Sequence, residues 1–166
     1  MKPLPLEDFK AVVRNTPLFS IDFLLLDPHN RVLLGRRKNG PAAGCLLPPG
    51  GRIFKNEPMK DAIRRISRSE LGFEITLAEL SFLGLVEVMY PDNVFDEAGF
   101  GTHYISAGFS VPYAENSPPL TDPQHSEFVF LSITDAMNHP EVHNFSKAFL
   151  AALHRDTKPS AGLLEY

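Results

Sequence analysis

Residues 51–73 read GRIFKNEPMKDAIRRISRSELGF, and this stretch decides the fold. Within it, residues 58–71 predict a helix. Asn56 is a candidate N-cap, Pro58 falls in the first turn, and Gly72 follows the last turn, where a left-handed residue commonly ends a helix.

Glu70 lies within the apolar face of this predicted helix. With Met59 at zero on a wheel of about 100° per residue, Glu70 falls at about 20°, and Ala62, Ile63 and Ile66 fall within roughly 60°. A carboxylate buried without a partner is costly, so we expect Glu70 to bind a metal or to be paired. Geometry alone does not decide between a metal ligand and a structural residue. In the structural case, the Glu70 side chain turns out to solvent or pairs with a nearby arginine.

The residues around this helix have a characteristic spacing. The preceding segment PPGGR, residues 48–52, places two glycines where the backbone approaches another group closely. The spacing that follows resembles the Nudix box: Gly, five residues, Glu, seven residues, then Arg-Glu-apolar-any-Glu-Glu-any-Gly-apolar. The positions that match are Gly51, Glu57, Arg65, Glu70, Gly72 and Phe73.

Three positions depart from the box. Ile66 and Ser69 stand where the box has Glu, and Ser67 stands where it has an apolar residue. The usual acidic cluster is therefore reduced to one carboxylate on the last turns of the helix. We expect a single hard cation, held by few protein oxygens and by substrate phosphates, which suits Mg²⁺, with Mn²⁺ as the alternative.

Outward from the box, strands dominate the chain. The pattern predicts a helix over 6–14, a hairpin of strands 20–26 and 31–37, a loop over 38–51, strands over 79–90, 100–112 and 127–133, a polar loop over 114–124 and a helix over 145–155. We predict an α+β protein with the Nudix fold, a mixed β-sheet packed between helices as an α/β/α sandwich. Residues 1–157 would form a single domain and residues 158–166 a loose tail.

Beyond the box, the chain resembles a Nudix subfamily, the GDP-mannose mannosyl hydrolases, which split GDP-mannose into GDP and mannose. The similarity extends from about residue 6 to residue 153, and the subfamily also lacks the two box glutamates at positions 66 and 69. The segments that carry the resemblance are EDFKAVVRNTPLFSIDF (7–23), LLGRR (33–37), PGGR (49–52), SELG (69–72), THY (102–104), QH (124–125) and VHNFSKAF (142–149).

The resemblance implies a role for each of several residues. The metal would be bound by the Gly50 carbonyl, Glu70 and Gln124, and His125, in a loop, would be the general base. The remaining roles are divided among three parts of the substrate. Arg37 and Arg52 would neutralise the leaving diphosphate with help from Tyr104, Asp22 would contact the sugar, and Phe9 with Pro3 and Leu4 would lie against the nucleotide.

Each of these residues also has a structural alternative. A given histidine is more often a surface or hydrogen-bonding residue than a base, as we expect of His103 and His143. Arg36 and Arg37 at a strand end could be a solvated pair, and Tyr104 could be core. Asp22 is harder to explain structurally, because the rest of its predicted strand is strongly apolar. One departure from the subfamily concerns the chemistry: Val88 stands where the subfamily usually has a histidine near the leaving group.

The chemistry that the resemblance implies agrees with the residue types. Expulsion of a diphosphate builds negative charge, which guanidinium groups bind bidentately. A histidine, whose unperturbed pKa is about 6.5, can take the proton of an attacking water at neutral pH. We therefore expect attack at the anomeric carbon with inversion. The alternatives are a Nudix pyrophosphohydrolase that cleaves an ADP-sugar or a nucleoside triphosphate, and a nucleotide-sugar binding protein with little turnover.

Composition limits the other functions. The 166 residues are 43% hydrophobic, enough for one domain with a core, and the net charge of −4 gives no support for a nucleic-acid partner. The single cysteine, Cys45, excludes a disulfide framework. Because no stretch is apolar enough for a signal core or a membrane span, we expect no membrane partner and a cytoplasmic location. The resemblance implies a homodimer.

Overall fold

The computed structural model describes residues 4–114, 125–153 and 163–164. The elements are α1 (Leu6–Asn15), β1 (Leu18–Leu26), β2 (Arg31–Arg37), β3 (Leu46–Leu47), β4 (Gly50–Arg52), α2 (Met59–Leu71), a 3₁₀ turn (Leu77–Glu79), β5 (Ser81–Tyr90), β6 (Thr102–Pro112), β7 (His125–Ser132), α3 (Ile133–Asn138), α4 (Asn144–Leu153) and β8 (Leu163–Leu164). In the described part of the chain, no helix combines the length and the apolarity that a membrane crossing requires.

The strands form one mixed sheet in the order β3-β2-β1-β6-β5-β8, with β4 paired to β1 and β7 paired to β2. β1 and β6 run parallel along the whole length of β1, whereas β5 and β6 run antiparallel. The predicted hairpin of β1 and β2 is present, but the two strands pair only at Leu26 and Val32. Nearer the N-terminus of β1, the strand pairs with β4 and not with β2. This pairing places Gly50 opposite Asp22 and Arg52 opposite Ser20.

Helices cover both faces of the sheet. Ile21, Phe23 and Leu25 of β1 pack in the same core as the apolar residues of α2, and Leu24 packs in the core formed with α3 and α4. Because successive strand residues point to opposite faces, Ser20 and Asp22 share the α4 face with Leu24. The predicted α/β/α sandwich is therefore confirmed, and Asp22 lies on the face opposite α2.

The predicted central helix is confirmed except at its N-terminus. Gly72 follows the last turn with φ of 83°, in the left-handed conformation that glycine adopts without strain. The expectation that Asn56 caps the helix was wrong, because the N-cap position is Pro58. Asn56 instead has φ of 64° in the preceding turn, a conformation in which asparagine is favoured among non-glycine residues.

Three other local predictions need correction, and one short helix was not foreseen. The Gly- and Pro-rich segment predicted as a loop over 38–51 contains the short strands β3 and β4. His125 is the first residue of β7 and not a loop residue, and the short helix α3 was not foreseen. The 3₁₀ turn ends at Glu79, so β5 begins at Ser81, two residues later than predicted. Within the segment predicted as tail, β8 pairs in parallel with β5.

Candidate active site

A cavity of about 250 Å³ opens on the α4 face of the sheet. Seven residues selected from the sequence line it: Phe9, Asp22, Arg37, Gly50, Arg52, Tyr104 and His125. They come from α1 and from the five strands β1, β2, β4, β6 and β7, so the sheet brings together side chains that are far apart in sequence.

Strand register explains the polar floor of this cavity. Leu18 of β1 pairs with Tyr104 of β6, and Ser20 pairs with Ser106. On the other side of β6, Val88 of β5 pairs with Tyr104. Because every second residue of a strand faces the same way, these strands direct one set of side chains into the cavity. The floor residues from the three strands are Ser20, Asp22, Val88, Tyr90, Tyr104 and Ser106.

Asp22 is buried and accepts a hydrogen bond from the Ser106 hydroxyl. Burial raises the pKa of Asp22 to about 7, against the opposing effects of the Ser106 hydrogen bond and the charge of Arg37. Gly50 has to be a glycine, because a Cβ at this position would overlap the Asp22 carboxylate and the Ile21 carbonyl. Asp22 thus lies against the backbone of β4 at the base of the cavity.

Two guanidinium groups line the cavity from different strands. Arg52, in β4, has its guanidinium carbon 3.8 Å from the centre of the Phe9 ring. Burial lowers the pKa of Arg52, although an arginine stays protonated at any physiological pH. Arg37 is the last residue of β2, and its Nε donates a hydrogen bond to the Asn39 carbonyl at 3.1 Å. The adjacent Arg36 differs, because its guanidinium is paired with Glu127 and Glu141 and does not line the cavity.

Two tyrosines lie side by side in the floor of the cavity. The rings of Tyr90 and Tyr104 are 6.3 Å apart and nearly perpendicular. Burial raises the pKa of both hydroxyls, and the charge of Arg52 opposes this shift at Tyr104. Both groups therefore stay protonated at neutral pH and can donate a hydrogen bond to an anionic ligand.

His125 is buried at the start of β7, opposite Arg37 of β2. Its imidazole covers Gly35: a Cβ at position 35 would lie 2.5 Å from His125 Cδ2 and 2.6 Å from Cγ. The imidazole also packs at 5.4 Å from the Phe128 ring. The glycine in β2 thus provides the space that the histidine ring occupies.

The carboxylates of the box have different surroundings. Glu57 accepts two hydrogen bonds from Arg65, at 2.6 and 2.8 Å, and one from the Phe54 amide at 2.9 Å. Arg65 also donates to the Arg52 carbonyl at 2.7 Å, so this pair ties α2 to β4. Glu70 is buried on α2, as the helical wheel predicted, but it does not line the cavity.

The donor chemistry of these residues fits one hard cation better than a metal cluster. Among the described residues, no group of three or more His, Cys, Asp or Glu side chains could hold a metal ion. The Gly50 carbonyl and the Glu70 carboxylate are oxygen donors of the kind that Mg²⁺ prefers. Gln124, the third predicted ligand, lies outside the described residues, as does Pro3.

One predicted nucleotide contact lies outside the cavity, and the two histidines expected to be structural have protein contacts. Leu4 is 54% exposed and does not line the cavity. His103 contacts Glu87 at 3.0 Å, and His143 packs against the rings of Tyr90 and Phe145.

Three polar residues of the cavity floor, Ser20, Tyr90 and Ser106, were not identified from the sequence, and neither was the space that Gly35 leaves for the His125 ring. Ser106 could have been identified, because it is a polar residue within the largely apolar sequence of β6, as Asp22 is within β1. Tyr90 and Gly35 gave no such signal, because tyrosine and glycine are ordinary at the end or the bulge of a strand.

Comparison with known proteins gives concordant matches. The family model of the NUDIX domain matches residues 17–153. The low-salt glycan biosynthesis protein Agl8 of Haloferax volcanii is 35% identical over 146 residues, which is 87% of this chain and 90% of that protein.

Solved structures share the fold. The MutT protein of Methanosarcina mazei superposes with a TM-score of 0.68 at 18% identity, over 87% of this chain and 98% of that one. The Nudix domain of NrtR from Shewanella oneidensis, crystallised with ADP ribose, superposes with a TM-score of 0.64 at 16% identity, over 93% of this chain and all of that one.

Proposed function

The chain belongs to the Nudix family of hydrolases, and from that membership we propose that it hydrolyses a GDP-sugar, GDP-mannose or GDP-glucose, to GDP and the free sugar. One observation carries the proposal. Arg37, Arg52, Asp22 and His125 line a single cavity in a chain whose box retains few carboxylates. The cavity offers two cations for a diphosphate, a buried carboxylate for sugar hydroxyls and an imidazole for a proton.

The proposed reaction is a single displacement at the anomeric carbon. A water oxygen attacks that carbon while the imidazole of His125 accepts the water proton. The bond between the carbon and the diphosphate oxygen breaks, and its electron pair leaves with GDP. Arg37 and Arg52 stabilise the charge that develops on the leaving oxygens, and Tyr104 donates a hydrogen bond to them. Because water attacks opposite the leaving group, the sugar is released with inverted configuration.

Mg²⁺ is the cofactor of the proposal, with Gly50, Glu70 and Gln124 as its protein ligands. When bound, the ion would polarise the diphosphate and make it a better leaving group. Glu57 is not assigned to the metal, because its carboxylate is occupied by Arg65 and by the Phe54 amide. Phe9, Leu4 and Pro3 are assigned to the nucleotide end of the substrate.

The relatedness to Agl8 supports a nucleotide-sugar substrate. The name of that protein places it in glycan biosynthesis, a process that uses sugars activated by a phosphate or diphosphate leaving group. The choice of guanine as base and the homodimer stay predictions from the sequence, as does the cytoplasmic location.

Products from a panel of nucleotide sugars with Mg²⁺ test the proposal. Chromatography should resolve GDP and free sugar from GDP-mannose or GDP-glucose. GMP with a sugar phosphate would indicate the pyrophosphohydrolase alternative, and tight binding without product would indicate a binding protein. Arg37→Gln should abolish turnover, whereas Arg36→Gln, a matched change at a residue outside the cavity, should retain it.

A further inference from the structure

Helix α1 packs against the connection between β5 and β6, residues 91–101. Val13 is the only buried residue of the helix. The connection contacts α1 at four points: Lys10 forms an ion pair with Glu97 and lies 5.6 Å from the centre of the Phe95 ring, the rings of Phe9 and Phe95 meet edge-on at 5.2 Å, and Arg14 lies 4.6 Å from the Phe100 ring. The position of α1 therefore depends on the shape of this connection.

Asn93 determines that shape. Its side chain is 4% exposed and makes four hydrogen bonds within the connection. The amide nitrogen donates to the carbonyls of Glu97 and Phe100 at 2.7 and 2.8 Å, and the amide oxygen accepts from the backbone nitrogens of Phe95 and Glu97 at 3.0 and 3.3 Å. No other residue type offers two donors and an acceptor in this arrangement except glutamine, which is one methylene longer.

The contacts continue from the connection to the cavity. Phe95 packs on Phe9, and the face of the Phe9 ring lies 3.8 Å from the guanidinium carbon of Arg52. Phe9 and Arg52 line the cavity, whereas Phe95 does not. An aromatic face attracts a guanidinium and favours a parallel stack, which restricts the directions in which the N–H groups can point.

We propose that Asn93 and Phe95 are positioning residues, which hold Phe9 against Arg52 so that the guanidinium is oriented toward the leaving diphosphate before substrate binds. The role of Arg52 in this statement rests on the proposed function, and it extends that function to residues outside the cavity. Phe9 acquires a second role, because the ring assigned to the nucleotide also orients Arg52.

The two roles of Phe9 predict different kinetics. Loss of a nucleotide contact raises KM with little change in kcat, because substrate and transition state lose the same contact. Loss of the orientation of Arg52 lowers kcat, because the charge that it stabilises develops only in the transition state.

Phe95→Leu is the decisive variant, because Phe95 contacts the ring of Phe9 but does not itself line the cavity. We expect kcat to fall about 10- to 100-fold, the range for a small misplacement of a catalytic group, with KM nearly unchanged. Phe95→Tyr keeps the ring and should restore kcat. Phe82→Leu, which removes an equivalent aromatic contact with Phe109 outside the cavity, is the matched control and should keep wild-type kinetics. A rise in KM at constant kcat in Phe95→Leu would overturn the proposal.

A readout that needs no turnover separates this proposal from the proposed function. The readout is the chemical shift of the Arg52 Nε–H in a proton–nitrogen NMR spectrum, in which the signal is assigned by its absence in Arg52→Lys. In the wild-type protein, the ring current of Phe9 should displace this chemical shift. Asn93→Ala and Phe95→Leu should move that signal toward the position of a solvated arginine. If the signal moves but wild-type protein hydrolyses no nucleotide sugar, the positioning role stands and the proposed function fails. An unmoved signal overturns the positioning role.

Discussion

At the scale of single residues, Asp22 determines part of the dependence of stability on pH. Burial raises its pKa to about 7 in the folded protein, whereas the ordinary value is 3.8. The folded state therefore binds a proton more tightly than the unfolded state, and stability should decrease as the pH rises from about 4 to about 7. The loss is at most about 4 kcal/mol, because each unit of pKa corresponds to about 1.4 kcal/mol.

Asp22→Asn should remove this dependence. We expect the variant to be more stable than wild type at pH 8 and to differ much less at pH 5, when urea unfolding is compared at the two values. Asp92→Asn, the same change at an exposed position, should follow the wild-type curve. An undiminished loss of stability between pH 5 and pH 8 in Asp22→Asn would show that another group is responsible.

His125→Gln should lower kcat by about 10²–10⁴, the usual contribution of a general base, with substrate affinity largely retained. Because burial raises the pKa of Asp22 to about 7, Asp22 contributes its own pH dependence, and the pH–rate profile is best compared between Asp22→Asn and the double variant with His125→Gln. The acidic limb that remains in the single variant should disappear in the double variant. His29→Gln, at an exposed position, is the control, and a persistent acidic limb in the double variant would assign the base to another residue.

Glu70→Gln should weaken Mg²⁺ binding about tenfold or more, since even residues that only support a metal ligand contribute about 10–100-fold. Calorimetric titration with Mg²⁺ and the Mg²⁺ dependence of turnover measure this effect. Glu74→Gln, on the exposed surface beyond the same helix, should bind Mg²⁺ like wild type. Wild-type affinity in Glu70→Gln would remove this residue from the metal site.

Sequence alone identified Asp22 and Glu70 because each is a charged residue in an otherwise apolar pattern. Sequence did not identify their surroundings. Ser106 lies 84 residues from Asp22 along the chain, and only the parallel pairing of β1 with β6 brings the two together. Asn93 is one of several polar residues in the connection between β5 and β6, and its hydrogen bonds become visible only in the folded structure.

At the scale of elements, the pairing of β2 with β7 positions the proposed base. A Cβ at Gly35 would approach the His125 ring to 2.5 Å and the Phe128 ring to 2.9 Å. Gly35→Ala should therefore displace the imidazole, lowering kcat per folded molecule and costing about 1–3 kcal/mol of stability, as overpacking does.

The control for Gly35→Ala is Gly108→Ala. A Cβ at Gly108 would overlap the ring of Phe149 in the core, so this variant should lose stability but keep kcat per folded molecule. Stability is measured by urea unfolding and kcat at saturating substrate. Equal kcat in Gly35→Ala and wild type would mean that the fit of His125 over β2 has no bearing on turnover.

Elements with a long periodic pattern could be predicted, and short ones could not. Helix α2 has apolar residues at helical spacing and a glycine at its end, and its extent was predicted to within one residue. β3 and β4 have two and three residues in a segment rich in glycine and proline. They are strands only because β1 and β2 offer unpaired edges, a property of the assembled sheet that no local pattern contains.

At the scale of the whole molecule, the sheet separates two functions between its faces. The α4 face carries the cavity with its polar floor, and the opposite face packs against α2 through the apolar core. The sandwich was predictable from the order of helices and strands. The pairing of β4 with the edge of β1 could not be predicted in this way. This pairing places Arg52 beside the residues of β1 that line the cavity.

The central claim is that water attacks the sugar carbon and not phosphorus, and hydrolysis of GDP-mannose in ¹⁸O-labelled water tests it most directly. Mass spectrometry should find the label in the free sugar and none in the nucleotide, and proton NMR before mutarotation should show β-mannose released from the α-linked substrate. Label in a nucleotide phosphate would contradict the account and assign the protein to the pyrophosphohydrolases.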